Sequence, residues 1–218
     1  MKILETERLL LRGLEQGDFK DVCKLLQDDE VMYAYEGAFN DQEVQNWLDR
    51  QFGRYRHDGF GLWGVVEKGS NELIGQCGIT YQEFDGKRVP EIGYLFKKEF
   101  WHKGFAIEAA VACREYAFHT LGFEEVYSII RDTNIASQKV ARRNGMQKVA
   151  TFTEGWTCRI LFIKSVCVNE KSKSDFPEQN RSDNDYIKKP FAFLRSVCDE
   201  RTFSFYLVDL LKEYCFIE

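Results

Sequence analysis

The sequence predicts a mixed α/β fold: a largely antiparallel sheet joined to strand and helix alternation, flanked by helices, with an extension at its C-terminal end. Three observations predict it. The opening reads strand, helix, helix; the stretch from Phe60 to Phe96 holds three β-rich runs separated by turn residues; and from Gly104 to Phe152 helical and strand periods alternate. A chain of 218 residues, 44% hydrophobic and 15% aromatic, can bury a core in one domain.

Each element has its own warrant. TERLLLRGL, Thr6 to Leu14, is a short apolar strand. In GDFKDVCKLL, Asp18 stands at a cap position, and Phe19, Val22, Cys23 and Leu26 fall at helical spacing. NDQEVQNWLDRQFGRY opens with Asn40 and Glu43 spaced as a capping box, and Val44, Trp47, Leu48 and Tyr55 form one face. KGSN and DGKR divide the following β-rich runs into an antiparallel meander, with Pro90 at the start of its strand, where a missing N–H matters least. A helix from Gly104 to Thr120, a strand EEVYSIIR, a helix from Asn134 to Asn144 and a strand QKVATF follow. TEGWTCRILFIKSVCV supplies a turn and the last strand, so the folded domain is expected over 1–166. Residues 167–189 read as a polar linker, because Lys171 to Lys189 has hardly any apolar side chain to bury. Residues 190–218 read as an amphipathic helical extension, with Phe203, Leu207, Leu210, Leu211 and Tyr214 on one stripe. That stripe needs a partner: the main domain, a second copy in a homodimer, or another protein.

Composition narrows the function classes. Thirty basic and thirty-five acidic side chains, interleaved to a net charge of −5, offer no broad basic face, so nucleic acid is not an expected partner. The start, MKILETERLLLRG, has neither an apolar signal core nor a small-residue cleavage site, and no apolar run reaches membrane-spanning length. A cytoplasmic protein without a membrane partner is expected. The seven cysteines include no C-x-x-C pair and read as reduced thiols, and His57, His102 and His119 do not cluster with them, so no metal is expected.

The informative glycine is Gly104, in EFWHKGFAIEAA. It precedes a helix whose first N–H groups have no intrahelical acceptor and whose dipole favours an anion, and Lys103 adds charge nearby. Ala106, Ala109, Ala110, Ala112 and Cys113 make a small-residue face for close packing on a sheet, with Glu108, Glu115 and His119 on an outer strip. Read alone, such a glycine is more often an ordinary loop glycine, and the alanines simple helix formers. GFGLWG, Gly59 to Gly64, also matches G-x-G-x-x-G, but it lies in a strand and opens no helix, so a dinucleotide site is not expected there.

PEIGYLFKKEFWHKGFAIEAA, followed by FEEVYSIIRDTNIASQKVARRNGM and preceded by ETERLLLRGLEQGDF and EVMYAYEGAFNDQEVQNWL, resembles the GNAT acetyltransferase superfamily. The resemblance is strongest to its branch related to the ribosomal-protein-alanine acetyltransferases and spans Glu5 to Phe152. It implies a twisted, mostly antiparallel sheet with a splayed parallel pair, and acetyl-CoA as co-substrate. Main-chain amides of His102, Lys103, Gly104, Phe105 and Ala106 would hold its pyrophosphate, and its pantetheine arm would lie along the strand Glu91 to Phe96, opened where that strand splays from Val126 to Arg131. Asn134 and Ser137, in NIAS, match the branch's N-x-x-S, where the Asn contacts the arm; both residues also suit plain helix capping. Trp101 stands where many members have Gln or Arg, no tyrosine occurs in NIASQKVARRNG, and the region after Phe152 is short and atypical. The extension has no counterpart.

Acetyl transfer to an amine needs a neutral nucleophile, a donor for the oxyanion and a proton for the departing thiolate. Glu91 is the expected general base. A main-chain N–H near Leu95 or Phe96 is the expected oxyanion donor, and Ser137 the polar group available to the thiolate. The acceptor is expected from the side of DDEVMYAYEG, where Asp28, Asp29, Glu30 and Glu36 attract a cation and Tyr33 and Tyr35 give it an aromatic wall. Arg142 and Arg143 read either as ligands of the cofactor's outer phosphate or as a solvated helix face. The expected activity is acetylation of a primary amine: a protein N-terminus, a polyamine-like metabolite or an amine-bearing antibiotic. The alternative is a non-catalytic acyl-CoA-binding module that presents its tail to a protein.

Overall fold

In the N-terminal stretch the chain forms two short strands, β1 (Lys2–Glu5) and antiparallel to it β2 (Leu9–Arg12), where the sequence suggested one from Thr6 to Leu14. The break is a turn at residues 6–8, closed by the Thr6 N–H to Leu9 O at 2.9 Å. The computed structural model describes residues 1–35, 37–84, 86–154 and 158–166. The expected linker at 167–189 and the helical extension at 190–218 lie outside the described residues.

Helix α1 (Phe19–Leu26) buries Val22, Leu25 and Leu26. Asp18 occupies its cap position but its side chain does not cap. The carboxylate instead meets Arg12 in a fork, Nη1 and Nη2 each at 2.7 Å, and accepts the Glu15 N–H at 2.8 Å. Burial pushes the Asp18 carboxyl up, but the Arg12 hydrogen bonds and the Glu15 N–H outweigh it and hold the group below its ordinary value. Its stabilisation is therefore complete above the unfolded pKa of about 4 and lost as pH falls through the depressed folded value. Asp18→Ala, which strands the Arg12 guanidinium, is expected to cost about 2 kcal/mol in urea unfolding at pH 7.

Helix α2 (Asp41–His57) starts as its spacing predicts. The Glu43 N–H donates to Asn40 Oδ1 at 3.0 Å and the Asn40 N–H to Glu43 Oε2 at 2.8 Å. Its apolar face buries Val44, Trp47 and Leu48, and Gln51 Oε1 accepts the Leu62 N–H at 3.1 Å. The meander is β3 (Leu62–Glu67), β4 (Glu72–Phe84) and β5 (Lys87–Phe96), all antiparallel. Pro90 stands within β5 opposite Tyr81, not at its start. Gly78 faces Leu62 on one side and Gly93 on the other. A Cβ there would overlap the Gly61 carbonyl oxygen and lie 2.8 Å from Leu62 Cα, so the close approach of β3 and β4 depends on its absence.

Alternation follows as predicted: α3 (Phe105–His119), β6 (Glu125–Arg131), α4 (Ile135–Arg143), β7 (Gln147–Glu154) and β8 (Cys158–Val166). Among the described residues the sheet has eight strands in the order β1-β2-β3-β4-β5-β6-β8-β7. Every neighbouring pair is antiparallel except β5 and β6. β8 lies between β6 and β7, so the chain's last described strand is interior to the sheet.

Alternate sheet residues Trp63, Cys77, Ile79, Ile92, Tyr94 and Phe96 share a core with the small face of α3, where Ala109, Ala110, Cys113 and Ala117 are fully buried. Small side chains let the helix settle on the strands. The Cys77 and Cys113 sulfurs lie 3.5 Å apart, and burial pushes the Cys113 thiol up, as suits inert core thiols. The intervening residues Gln76, Thr80 and Gln82 of β4 point to the opposite face, together with their register partners Leu95, Glu91 and Val89.

Candidate active site

The parallel ladder between β5 and β6 holds a single register pair, Glu91 opposite Tyr127. β5 is paired along its length with β4, and β6 along its length with β8. Among the described residues no second register pair joins the two strands, so beyond this one they part. Two side chains bridge the start of this fork. Ser128 Oγ donates to Ile92 O at 2.8 Å, and Glu91 Oε1 accepts the Ile129 N–H at 2.9 Å.

Glu91 is 1% exposed. Burial pushes its carboxyl up to about 8, against the opposing effects of the Ile129 N–H, the Gln82 side chain and the charge of Arg54 on α2. A carboxyl in that range changes its charge near neutral pH, which ordinary surface glutamates do not.

The fork edge of β5 follows from its bonded neighbours. The Lys97 N–H donates to Ile74 O on β4 at 2.9 Å, whereas Ile92 O faces Ser128 and Phe96 O accepts the Trp101 indole N–H at 2.8 Å. Main-chain groups alternate sides along a strand, so the N–H groups of Tyr94 and Phe96 face the fork and that of Leu95 faces β4. Of the two positions named from the sequence, Phe96 has its N–H on the fork edge and Leu95 on the β4 edge. Tyr94 shares the fork edge with Phe96, a placement that depends on the register between β4 and β5, which β5 alone does not disclose.

Beyond β5 the chain turns through Trp101–Gly104 into α3. His102 at φ 59° and Gly104 at φ 81° both adopt the left-handed region, which for Gly104 carries no Cβ penalty. A Cβ at Gly104 would meet Arg8 Nη2 at 3.3 Å, so the glycine also makes room for a side chain of the protein itself. The N–H groups of residues 102–107 find no acceptor among the described residues, whereas the Glu108 N–H returns to Gly104 O at 3.2 Å. Glu115 and His119 do form an outer pair at 3.0 Å, but Glu108 leaves that strip and is tied to Thr6 and Arg8.

The first turn of α4 reaches the same fork. The Ser137 N–H is capped by Asn134 Oδ1 at 3.0 Å, and the Tyr94 hydroxyl donates across from β5 to Ser137 O at 3.1 Å. Asn134 and Ser137 are 0% and 1% exposed, yet Asn134 Nδ2 and Ser137 Oγ have no hydrogen-bond partner among the described residues. Capping thus uses only half of this pair. Buried polar atoms left unpaired cost about 1–3 kcal/mol each, a cost that a ligand rich in amides removes. Orphaned polar atoms at α4 and unpaired amides at 102–107 fit the arm and the diphosphate of acetyl-CoA. Arg142 and Arg143 are exposed at the far end of α4.

In the stretch DDEVMYAYEG, two of the expected acidic groups are engaged. Asp28 Oδ1 accepts the Glu30 N–H at 2.8 Å, and Glu30 pairs with Lys98, just past the end of β5. This ion pair holds the loop beside the end of β5. Tyr33 is 48% exposed, while Tyr35 is buried at 8%; Glu36 lies outside the described residues. Among the described residues no group of His, Cys, Asp or Glu is arranged to hold a metal ion, and no helix is long and apolar enough to cross a membrane.

Comparison with known proteins agrees with this geometry. Residues 8–147 match the family model described as the acetyltransferase (GNAT) domain. The uncharacterized protein YkkB of Bacillus subtilis is 35% identical over 144 residues, 66% of this chain and 84% of that protein. A crystal structure of a GNAT-family acetyltransferase from Bacillus anthracis shares 25% identity, covers 75% of this chain and 97% of its own, and superposes with a TM-score of 0.65. The ribosomal L7/L12 alpha-N-protein acetyltransferase RimL, solved in complex with coenzyme A, shares the fold at a TM-score of 0.66 and 15% identity, over 76% of this chain and 98% of its own. With the fork between β5 and β6, the α3 loop and the domain match in agreement, this chain belongs to the GNAT acetyltransferase family, enzymes that transfer an acetyl group from acetyl-CoA to an amine.

Proposed function

We propose that the enzyme acetylates a primary amine, on a protein N-terminus or a small molecule, by direct attack with Glu91 as general base. The observation that carries this reading is a carboxyl closed off from water at the fork and lifted by burial to about 8. Such a group, once ionised, takes a proton from an amine efficiently near neutral pH. Bound acetyl-CoA supplies the thioester carbonyl, to which the amine nitrogen bonds as the carbon–sulfur bond breaks and the thiolate leaves. Glu91 receives the proton that the amine gives up. A main-chain N–H of this stretch of β5, at or beside Phe96, donates to the carbonyl oxygen as charge builds on it. The amides from His102 to Ala106 hold the diphosphate, with Lys103 adding charge, and Asn134 Nδ2 and Ser137 Oγ bind the arm. Ser137 Oγ is also the donor for the departing sulfur. Tyr33, half exposed, stands on the acceptor side, where an aromatic surface suits a cation.

The test is thiol release from acetyl-CoA with a panel of polyamines, amine-bearing antibiotics and peptides with free N-termini. Turnover with at least one class is expected. Tight binding of coenzyme A without turnover on any amine would overturn the reading and leave a non-catalytic acyl-CoA-binding module.

A further inference from the structure

We infer that Arg8, in the turn between β1 and β2, is a positioning residue for the diphosphate loop: it fixes the Lys103–Gly104 peptide so that its N–H faces the bound cofactor. This rests on the reading that the 102–106 amides hold the diphosphate. Arg8 Nη1 donates to Lys103 O at 2.9 Å. In a trans peptide the carbonyl and the following N–H point in opposite directions, so a carbonyl drawn toward Arg8 turns the Gly104 N–H away from it. That N–H has no acceptor among the described residues.

The peptide needs such a hold. His102 and Gly104 flank Lys103 in the left-handed region, where a glycine-bearing turn can rotate a peptide plane at little cost. A rotated plane would aim a carbonyl at the diphosphate, replacing attraction by repulsion.

Arg8, though partly exposed, is itself held by several partners. Its Nε and Nη2 each meet Glu108 Oε2 at 2.6 Å, and its own N–H donates to Glu108 Oε1 at 2.9 Å. The Thr6 hydroxyl donates to the same Oε1 at 2.5 Å, and the guanidinium lies over the Phe105 ring, 4.5 Å from its centroid. A lone surface ion pair contributes little, but a planar fork fixed by a carboxylate, a ring and a carbonyl defines one geometry. Glu108 also offsets the Arg8 charge, so Arg8 acts through the peptide and not as a direct anion ligand. Glycine at 104 completes the arrangement, since any side chain there would press on the guanidinium.

The experiment is calorimetric titration of coenzyme A and of pantetheine, which shares the arm but lacks the diphosphate and the nucleotide, into wild type and Arg8→Ala. Wild type is expected to prefer coenzyme A. Arg8→Ala is expected to lose about tenfold in affinity for coenzyme A, with pantetheine unchanged. Glu108→Gln, which keeps the shape of the side chain but loosens the guanidinium, is expected to shift the same ratio in the same direction by less, and it carries the test if Arg8→Ala does not fold. Equal affinity of wild type for the two ligands would overturn the loop reading and this inference together. A wild-type preference retained in full by the variants, or an equal loss for both ligands, would overturn this inference alone.

Discussion

Glu91→Gln is expected to lower kcat/KM by about 10²- to 10⁴-fold while affinity for coenzyme A stays unchanged. The amide keeps an oxygen that can accept the Ile129 N–H, so the bridge across the fork survives and only proton uptake is lost. Wild-type kcat/KM is expected to rise with pH and level off above about 8, the value to which burial lifts the carboxyl, and the variant is expected to lack that ascending limb. Stability moves the other way. The folded pKa of about 8 lies above the ordinary value of 4.5, so between them the folded protein holds a proton that the unfolded chain has lost. Over that window wild-type stability from this group falls as pH rises. The variant has no such loss, and thermal melts at pH 5 and pH 8 should show it gaining on wild type by several degrees at the higher value. Loss of activity accompanied by destabilisation at pH 8 would instead mark Glu91 as a structural strut.

Gly78→Ala is expected to have the largest effect on folding. Its Cβ would overlap the Gly61 carbonyl oxygen and approach Leu62 Cα at 2.8 Å and Gly61 C at 2.9 Å, all main-chain atoms that no rotamer change can move. β3 and β4 would have to separate at the centre of the sheet, a loss expected to exceed about 3 kcal/mol. Because Thr80 on β4 faces Glu91, the displacement would also reach the fork. Urea unfolding measures the loss, with Gly69→Ala as the comparison, since nothing lies within 4 Å of a Cβ at that turn. Similar midpoints for the two variants would contradict the assigned packing.

What the sequence made legible was mostly local. Asn40 and Glu43 stand three residues apart and cap each other, and the small residues of α3 sit where a sheet must pass. Asp18 misled because a cap position and an ion-pair partner use the same carboxylate, and Arg12, six residues away, takes it. The N-terminal strand divided for a related reason: Thr6 and Arg8 are drawn toward Glu108, a hundred residues on. Of the positions proposed for the site, Gly104 stands out by its place before a helix, and Glu91, Asn134 and Ser137 through the resemblance to a family. Tyr94 does not, because only pairing with β4 decides which edge of β5 faces the fork. Arg8 looked like one more residue of an apolar strand, since the loop it braces lies far along the chain.

The interior place of β8 dictates an order of assembly during synthesis. Until residues 158–166 leave the ribosome, β6 has neither the neighbour that fills its outer edge nor more than one pairing point with β5, and β7 has no strand to join. The strands up to β5, with α3 packed on them, have left the ribosome before that point, but β6, the far arm of the fork, must wait for its last neighbour. A nascent or prematurely stopped chain ending before Cys158 therefore exposes both edges of β6 to other chains.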